Sequence, residues 1–401
     1  MEQPNLRFKA DDGSEFPAWE VKTLGEVFTE IKEKNRSDLP VLSVQQGAGM
    51  VLRDSSERRI AYNKNSLNNY KAMKKGDFII HLRSFEGGLE CSNQDGISSP
   101  AYHILRSNMI LSDAFKDYFR SYAFIKGKLS DAVVGIRDGK NIDMPTFWEI
   151  QISIPSLPEQ RKIADFLFAV DAVIAAQQAE VDAWEQRKKG VMQKLFNQEV
   201  RFKADDGSDF PDWEEKTLGD LGEFIKGAPL SKADIAPEGN PMILYGELYT
   251  TYREVAYEIA RSTNRNVDDK YRSKIGDVLI PTSGETPEEI STATCVMKEG
   301  VILAGDLYIY RTVDEIDGRI MSYLLNHQAN NAISCIAQGK SVVHVQAKEL
   351  RNITVVFPPE IGEQRKIADC LASMDEVIQK AKSELAKWQE LKKGLLQQMF
   401  V

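Results

Sequence analysis

Three stretches of this chain carry residue types that could do chemistry. Gln338-Gly339-Lys340-Ser341 ends as a phosphate-binding loop does, with Lys and Ser set to reach terminal phosphates and Mg2+, but position 334 is Ser334 where the loop needs a glycine to wrap its backbone around the anion. Gly47-Ala48-Gly49 opens a dinucleotide fingerprint, yet Leu52 fills its third glycine position. Pro211-Asp212 followed by Glu214-Glu215-Lys216 has the residue types of a metal-dependent nuclease, whose carboxylates come from strands well apart in sequence; here one residue separates them, and Ala18 stands where a repeat of this segment would place Asp212. His81, His103, His327 and His344 show no ligand spacing, and Cys91, Cys295, Cys335 and Cys370 form no CxxC pair. The Asn/Asp-Pro-Pro-aromatic tetrapeptide that an adenine-modifying enzyme uses around its flipped base is missing. The residues predict a chain with no catalysis and no metal of its own.

The elements that organise the chain are duplicated. Glu159 to Phe196 returns as Glu363 to Phe400 with a shift of 204 and 18 of 38 positions identical, including EQRKIAD, Asp171 with Asp375, Trp184 with Trp388, and Lys188-Lys189-Gly190 with Lys392-Lys393-Gly394. Ile163, Leu167, Val170, Ile174, Gln177, Val181, Trp184, Lys188, Val191 and Leu195 follow at alternating steps of four and three, which is a heptad seam. The second copy repeats it from Ile367 to Met399, so the two helices, each about 55 Å long, are expected to pair as a coiled coil. Ser156 with Glu159 reads as a capping box for the first helix, whereas the second starts at Pro358-Pro359 without such a cap. A second repeat, RFKADDGSEFPAWEVKTLG from Arg7 to Gly25, recurs from Arg201 to Gly219 with 16 of 19 positions identical. Its Asp-Gly and Phe-Pro pairs predict a turn-rich arm. Phe196 leads within five residues into the second arm, and Phe400 stops where a further arm would begin. The first arm is therefore expected beside the C-terminus, in a near-closed ring of pseudo-twofold symmetry that sets the helices antiparallel.

Between arm and helix, each half reads as short strands with a helix. The first has strands over Pro40–Val44, Asp77–Leu82, Ala101–Leu105 and Glu149–Ile154 with a helix at Asp113–Ile125; the second has strands over Met242–Tyr245, Asp277–Ile280, Val301–Tyr310 and Asn352–Phe357 with a helix at Gly318–Ala332. The fold class is α+β, with residues 1–156 as arm and first domain, 157–198 as the central helix, 199–360 as second arm and domain, and 361–401 as the last helix. Frames nearly identical around unlike interiors describe one fold presenting two recognition surfaces. No apolar run spans a bilayer and no signal core opens the chain, so a cytoplasmic protein is expected. Net charge is −9, and almost all the excess acid lies in 197–362, with 17 basic against 27 acidic residues; that speaks against unaided phosphate binding. Local basic tracts run from Arg53 to Lys75 and from Arg253 to Lys274.

The doubled order of arm, domain and helix resembles the specificity subunit of type I restriction-modification systems. The residues that carry the resemblance are Pro155 to Ile163 and Glu363 to Ile367 at the helix starts, Trp19 to Glu26 and Trp213 to Asp220 at the domain entries, Ser98 to Tyr102, and the Gly139-Lys140 and Gly339-Lys340 turns. The resemblance implies two target recognition domains, each reading one half of a split sequence in double-stranded DNA, separated by an antiparallel coiled coil that fixes the spacing. It also implies two modification (methyltransferase) subunits that use S-adenosylmethionine, and restriction subunits that use ATP and Mg2+ to translocate and cleave. A second reading is a coiled-coil scaffold with two peptide-binding domains.

On the DNA reading, base and phosphate contacts are expected among polar residues near the basic tracts: Gln45, Gln46, Arg53, Arg58, Arg59, Lys71, Arg83 and Ser84 in the first domain, and Tyr245, Tyr249, Arg253, Arg261, Arg272, Thr282, Ser283 and Lys340 in the second. The repeated charges Arg161-Lys162 and Arg365-Lys366 are expected to offer one docking surface twice to identical modification subunits.

Overall fold

The computed structural model describes residues 4–53, 64–135, 140–339 and 342–400. They form two compact units, Met1–Glu180 with Ala381–Val401, and Val181–Lys380. Each long helix, Leu157–Phe196 and Ile361–Met399, therefore contributes one part to each unit.

In the first unit the domain is built on a four-stranded antiparallel sheet in the order Thr29–Ile31, His103–Arg106, Phe78–Ile80, Glu90–Cys91. Its core packs Phe28, Phe78, Phe115, Phe119 and Phe124 around that sheet. The entry strand Glu20–Thr23 pairs antiparallel with the exit strand Gln151–Ile154, so the chain leaves beside where it came in and runs straight into the long helix. The expected helix at Asp113–Ile125 is three short pieces, Ser112–Phe115, a 3-10 turn at Tyr118–Arg120 and Tyr122–Gly127. Ser121 ends one piece in extended conformation and caps the next by accepting from the Phe124 N–H, the competition with helix that serine offers.

The second unit repeats the plan at greater size. A five-stranded sheet runs Gly222–Lys226, Leu307–Thr312, Asp277–Pro281, Thr294–Val296, Val255–Ala256, and a three-stranded one Arg261–Thr263, Asn240–Leu244, Ile302–Ala304. Glu214–Thr217 pairs with Thr354–Phe357 as the entry and exit strands did before. The expected single strand Val301–Tyr310 breaks at Gly305, whose φ of 83° turns the chain between two sheets. Gly318–Ala332 breaks likewise into Gly318–His327 and Asn330–Ile336.

The interior echoes of the repeat have a shared cause. Arg106 donates twice to Asp77 at 2.7 and 2.6 Å, and Arg311 twice to Asp277 at 2.9 and 2.8 Å, each carboxylate almost wholly buried. The same carboxylates accept the backbone N–H of Lys74 and Lys274, closing turns whose glycines Gly76 and Gly276 sit at φ 89° and 94°. Planar bidentate pairing fastens two strands and a turn at one point.

Fastening of arm, domain and helix follows one scheme in both units. Arg7 donates to Glu159 at 3.1 and 2.8 Å, and Arg201 to Glu363 at 3.0 and 2.8 Å. Gln160 donates to the carbonyls of Met109 and Pro155 and accepts the Leu111 N–H; Gln364 does the same with Glu315, Pro358 and Asp317. The EQRK tetrapeptide is thus a clasp. Its Glu takes the arm, its Gln takes the domain, and the capping-box expectation fails for that reason: the Glu159 carboxylate faces Arg7 and the Trp19 indole N–H, and the Ser156 hydroxyl is buried without a hydrogen-bond partner. The N-terminal arm also meets the C-terminal helix inside the first unit, where the Leu6 N–H donates to Gln398 and Trp19 lies edge-on to Phe400.

Inside each unit the two helix segments run in opposite directions. In the first, Lys392 reaches Asp171 at 2.6 Å while Met399 and Phe400 share a core with Ile163 and Leu167. In the second, Lys188 reaches Asp375 at 2.6 Å while Met192 and Leu195 share a core with Ile367 and Leu371. The cation is a seam residue in both copies. A buried lysine at such a position is tolerated only with partners, and it finds a third group from its own unit's domain: Asp117 at 2.7 Å for Lys392 and Glu254 at 3.1 Å for Lys188.

Candidate nucleic-acid interface

In the first domain, the hairpin of Leu42–Gln45 and Gly49–Leu52 carries Gln45 and Gln46 at its exposed tip. Gly47 and Gly49, at φ 83° and 85°, make the turn possible. A buried ion pair props it from below: Glu90, with no side-chain exposure, accepts the Gly47 N–H at 2.7 Å and faces Arg120 at 2.7 Å, while Arg120 donates to the Gly47 carbonyl. Gln46 lies over Gly87, in the short helix Ser84–Gly87 that exposed Arg83 introduces; a Cβ on Gly87 would come within 2.8 Å of the Gln46 amide. Gln46 and the segment from Arg83 are thereby brought together. Lys140, 5.8 Å from the Phe85 ring centre, joins them. Sequence reasoning passed over Lys140 as a site residue, although its place after Gly139 matched that of Lys340 after Gly339.

Three further first-domain candidates have intramolecular duties. Ser84 is fully buried and accepts the His81 N–H. Lys71 donates to the Tyr102 carbonyl at 2.6 Å and is largely covered, and burial pushes its ammonium below the ordinary lysine range. Arg53 donates to the Tyr70 hydroxyl. Arg58 and Arg59 lie outside the described residues.

The second domain gathers its candidates in a groove of about 980 Å³, where Tyr245, Tyr249 and Arg261 share the lining with Lys232, Glu289 and Asp306. A neighbouring hollow of about 430 Å³ adds Thr282, Lys226 and His344, and the two share Leu230, Gly305 and Asp306. Loops from both sheets meet here because Gly305 ends one strand and starts the turn to the next. Arg261 is held by Glu247 at 2.9 Å, a carboxylate that also accepts the Leu244 N–H. Burial beside Glu289 raises the Tyr249 hydroxyl above its ordinary pKa, so it stays a donor. Lys226, Lys232, Asp306 and His344 were missed; no local pattern marks them, since they come from four separate segments, the end of the strand Gly222–Lys226, a 3-10 turn at Lys232–Asp234, the turn after Ala304 and the short strand Val343–His344.

Other second-domain candidates fall elsewhere. Ser283 is buried and donates to Asp306 at 3.1 Å. Arg253 faces Glu185 of the central helix at 3.3 Å, and Arg272 donates to the Gly300 carbonyl. Lys340 lies outside the described residues. Among the docking candidates, Lys162 bonds Asp11, and Lys366 bonds Asp205 and the Lys203 carbonyl, each reaching from its helix to the arm of its own unit. Arg161 and Arg365 are exposed. Among the described residues no cluster of His, Cys, Asp or Glu could hold a metal, and no helix is long and apolar enough to cross a membrane.

The model of the type I restriction modification DNA specificity domain matches residues 18–183 and again 211–387. A type I restriction enzyme specificity subunit of Methanocaldococcus jannaschii is 21% identical over 97% of this chain and 94% of its own length. A putative one from the same organism is 26% identical over 64% of this chain and 60% of its own. The crystal structure of a type I restriction-modification S subunit from M. genitalium, 13% identical, covers 100% of this chain and 99% of its own with a TM-score of 0.59. A chain from work on complex assembly and conformational transition of the type I system, 17% identical, covers 96% and 97% at 0.54. At those identities the two structures speak to the fold alone, and nothing in the comparisons favours a peptide-binding scaffold. Because the specificity model accounts for most of the sequence in two consecutive copies, the chain belongs to the family of type I restriction-modification DNA specificity subunits.

Proposed function

We propose that each domain reads one half of a bipartite target in double-stranded DNA and that the two long helices, paired as an antiparallel coiled coil with pseudo-twofold symmetry, set the distance between the halves. The observation that carries this is the clasp: one set of Arg, Glu, Gln, Lys and Asp contacts is repeated around two unlike surfaces, the Gln45–Gly49 tip with Arg83 and the Tyr245–Tyr249–Arg261 groove. A spacer with interchangeable readers has this form. The chain brings no catalysis: two modification subunits supply S-adenosylmethionine and methylate, and restriction subunits supply ATP, Mg2+ and cleavage. Those partners also supply much of the phosphate neutralisation that an acidic second domain does not.

The test is to insert one heptad after Ala175 and another after Gln379, in phase with the seam. The pair lengthens by about 10 Å, or about three base pairs. Methylation mapping should return the same half-sites across a longer spacer, and an out-of-phase insertion should lose activity; an unchanged spacer would mean that something else measures the distance. Alanine at Tyr245 and Tyr249 should relax the second half-site alone, by roughly 1 to 3 kcal/mol per good contact.

A further inference from the structure

The hairpin tip of the first domain has what it needs to close by itself. The Ala48 N–H donates to the Gln45 carbonyl at 3.0 Å, and Gly47 and Gly49 supply the left-handed conformations of the turn. Yet a buried ion pair grips one residue at its centre. Glu90, whose side chain is wholly covered, accepts the Gly47 N–H at 2.7 Å; Arg120 donates to the Gly47 carbonyl at 2.9 Å and lies 2.7 Å from Glu90. Gly47 itself is exposed, so water would satisfy both of its backbone groups. Taking two charges out of water is costly, and an apolar pair of similar volume is often as stable or more so. Such a pair would support the sheet equally well, but it would not hold Gly47.

What the ions add is position. Their hydrogen bonds go to backbone, so they fix where the tip stands whatever side chains it carries. Arg120 is itself anchored from behind: it ends the 3-10 turn Tyr118–Arg120, where Asp117 faces Lys392 of the C-terminal helix at 2.7 Å and Tyr118 stacks on Phe400 at 4.8 Å. Gln45 and Gln46, directly before the gripped residue, are exposed, and among the described residues neither side chain has a hydrogen-bond partner. An amide held at one place matches the donor and acceptor of one base edge, whereas an amide on a swinging tip adapts to several. We propose that Glu90 and Arg120 are positioning residues for sequence readout, which set the selectivity of the first half-site by holding Gly47 and act through Gln45 and Gln46. The inference rests on the reading of this domain as one that recognises half of a DNA target, and it names what makes that recognition selective.

The experiment measures methylation by the full chain with the modification subunits of the same system. Duplexes carry each single base-pair change in either half-site, and the readout is the ratio of rates on cognate and changed duplex. Arg120→Lys and Glu90→Gln should each lower that ratio roughly ten-fold at the base pairs the tip reads in the first half-site, and leave the ratios in the second half-site as they were. Gly47→Ala, strained at a φ of 83°, should lower it at the same pairs. In a double-mutant cycle, Arg120→Lys should add nothing at those pairs once Gln45 and Gln46 are alanine. Glu90→Leu with Arg120→Met, which puts apolar volume in place of the ions, should melt at or above the wild-type temperature and still discriminate poorly.

A merely structural pair would slow cognate and changed duplexes alike and keep their ratio. That result for Arg120→Lys and Glu90→Gln, or additive effects in the cycle, overturns the proposal while the functional reading stands. A wild-type complex that methylates without preference at the first half-site would overturn both.

Discussion

The clasp at the start of each long helix and the candidate surface of each domain sit in one polypeptide under different constraints. At the clasp, Glu159 and Glu363 have the same arm arginine at nearly the same distances, and Gln160 and Gln364 reach equivalent backbone groups. At the candidate surfaces, the first domain has a glutamine-tipped hairpin on a buried Glu90–Arg120 pair, and the second has a tyrosine-lined groove with Arg261 tethered by Glu247. The clasp is a closed set of hydrogen bonds in which any single change leaves a buried partner unsatisfied.

That contrast can be broken at its strongest point. Glu159→Ala and Glu363→Ala should each destabilise their own unit by about 3 to 5 kcal/mol, because a fully buried carboxylate is removed from an arginine that is itself mostly covered. Denaturant unfolding followed by hydrogen exchange should place each loss in one unit, and similar magnitudes in both are expected. A loss below 1 kcal/mol in either would show the clasp to be ornamental there.

The two helix nodes differ in a way acid should reveal. Glu254 is deeply buried, which alone would raise its pKa, but a hydrogen bond from His327 and the charge of Lys188 outweigh burial and lower it to about 2. The folded value lies below the unfolded one, so the stabilisation is complete above about pH 4.5 and is lost as pH falls toward about 2. The second unit should lose on the order of 2 to 3 kcal/mol over that window. The first unit has a weaker equivalent, Glu30 held below its ordinary range by His103 against a smaller burial, so Thr294–Val296 should lose amide protection in acid before Phe78–Ile80 does. Glu254→Gln should flatten the difference.

Smallest of all, repetition without burial should carry little energy. Lys9 and Glu15 pair across the arm turn at 2.9 Å, as Lys203 and Asp209 do, but both partners of the first pair are about two-thirds exposed. Lys9→Ala should change unfolding free energy by about 0.5 kcal/mol or less. A larger loss, read by the same denaturant melt, would mean that the arm turn belongs with the clasp.

The sequence alone determined the parts that depend on short-range order and on the chain's own duplication. A heptad seam is a local periodicity, so both long helices and their apolar stripes were readable from Ile163 to Leu195 and from Ile367 to Met399. The α+β class and the exit strands were legible through turn residues and repeat boundaries, whereas the entry strands Glu20–Thr23 and Glu214–Thr217, which exist only by pairing with those exits, were not. Only tertiary structure decided what the repeated polar residues do. EQRK looked like a cap and a docking charge, and it became a clasp because Arg7, Met109 and Leu111 arrive from distant sequence. Lys188 and Lys392 stood on the seam as unexplained cations until Asp375 and Asp171 met them across the opposite helix. The groove was the least legible of all. Lys226, Tyr245, Arg261, Thr282 and Asp306 line a groove and the hollow beside it only because Gly305 redirects a strand between two sheets, and contacts made over such separations leave no period or spacing to read.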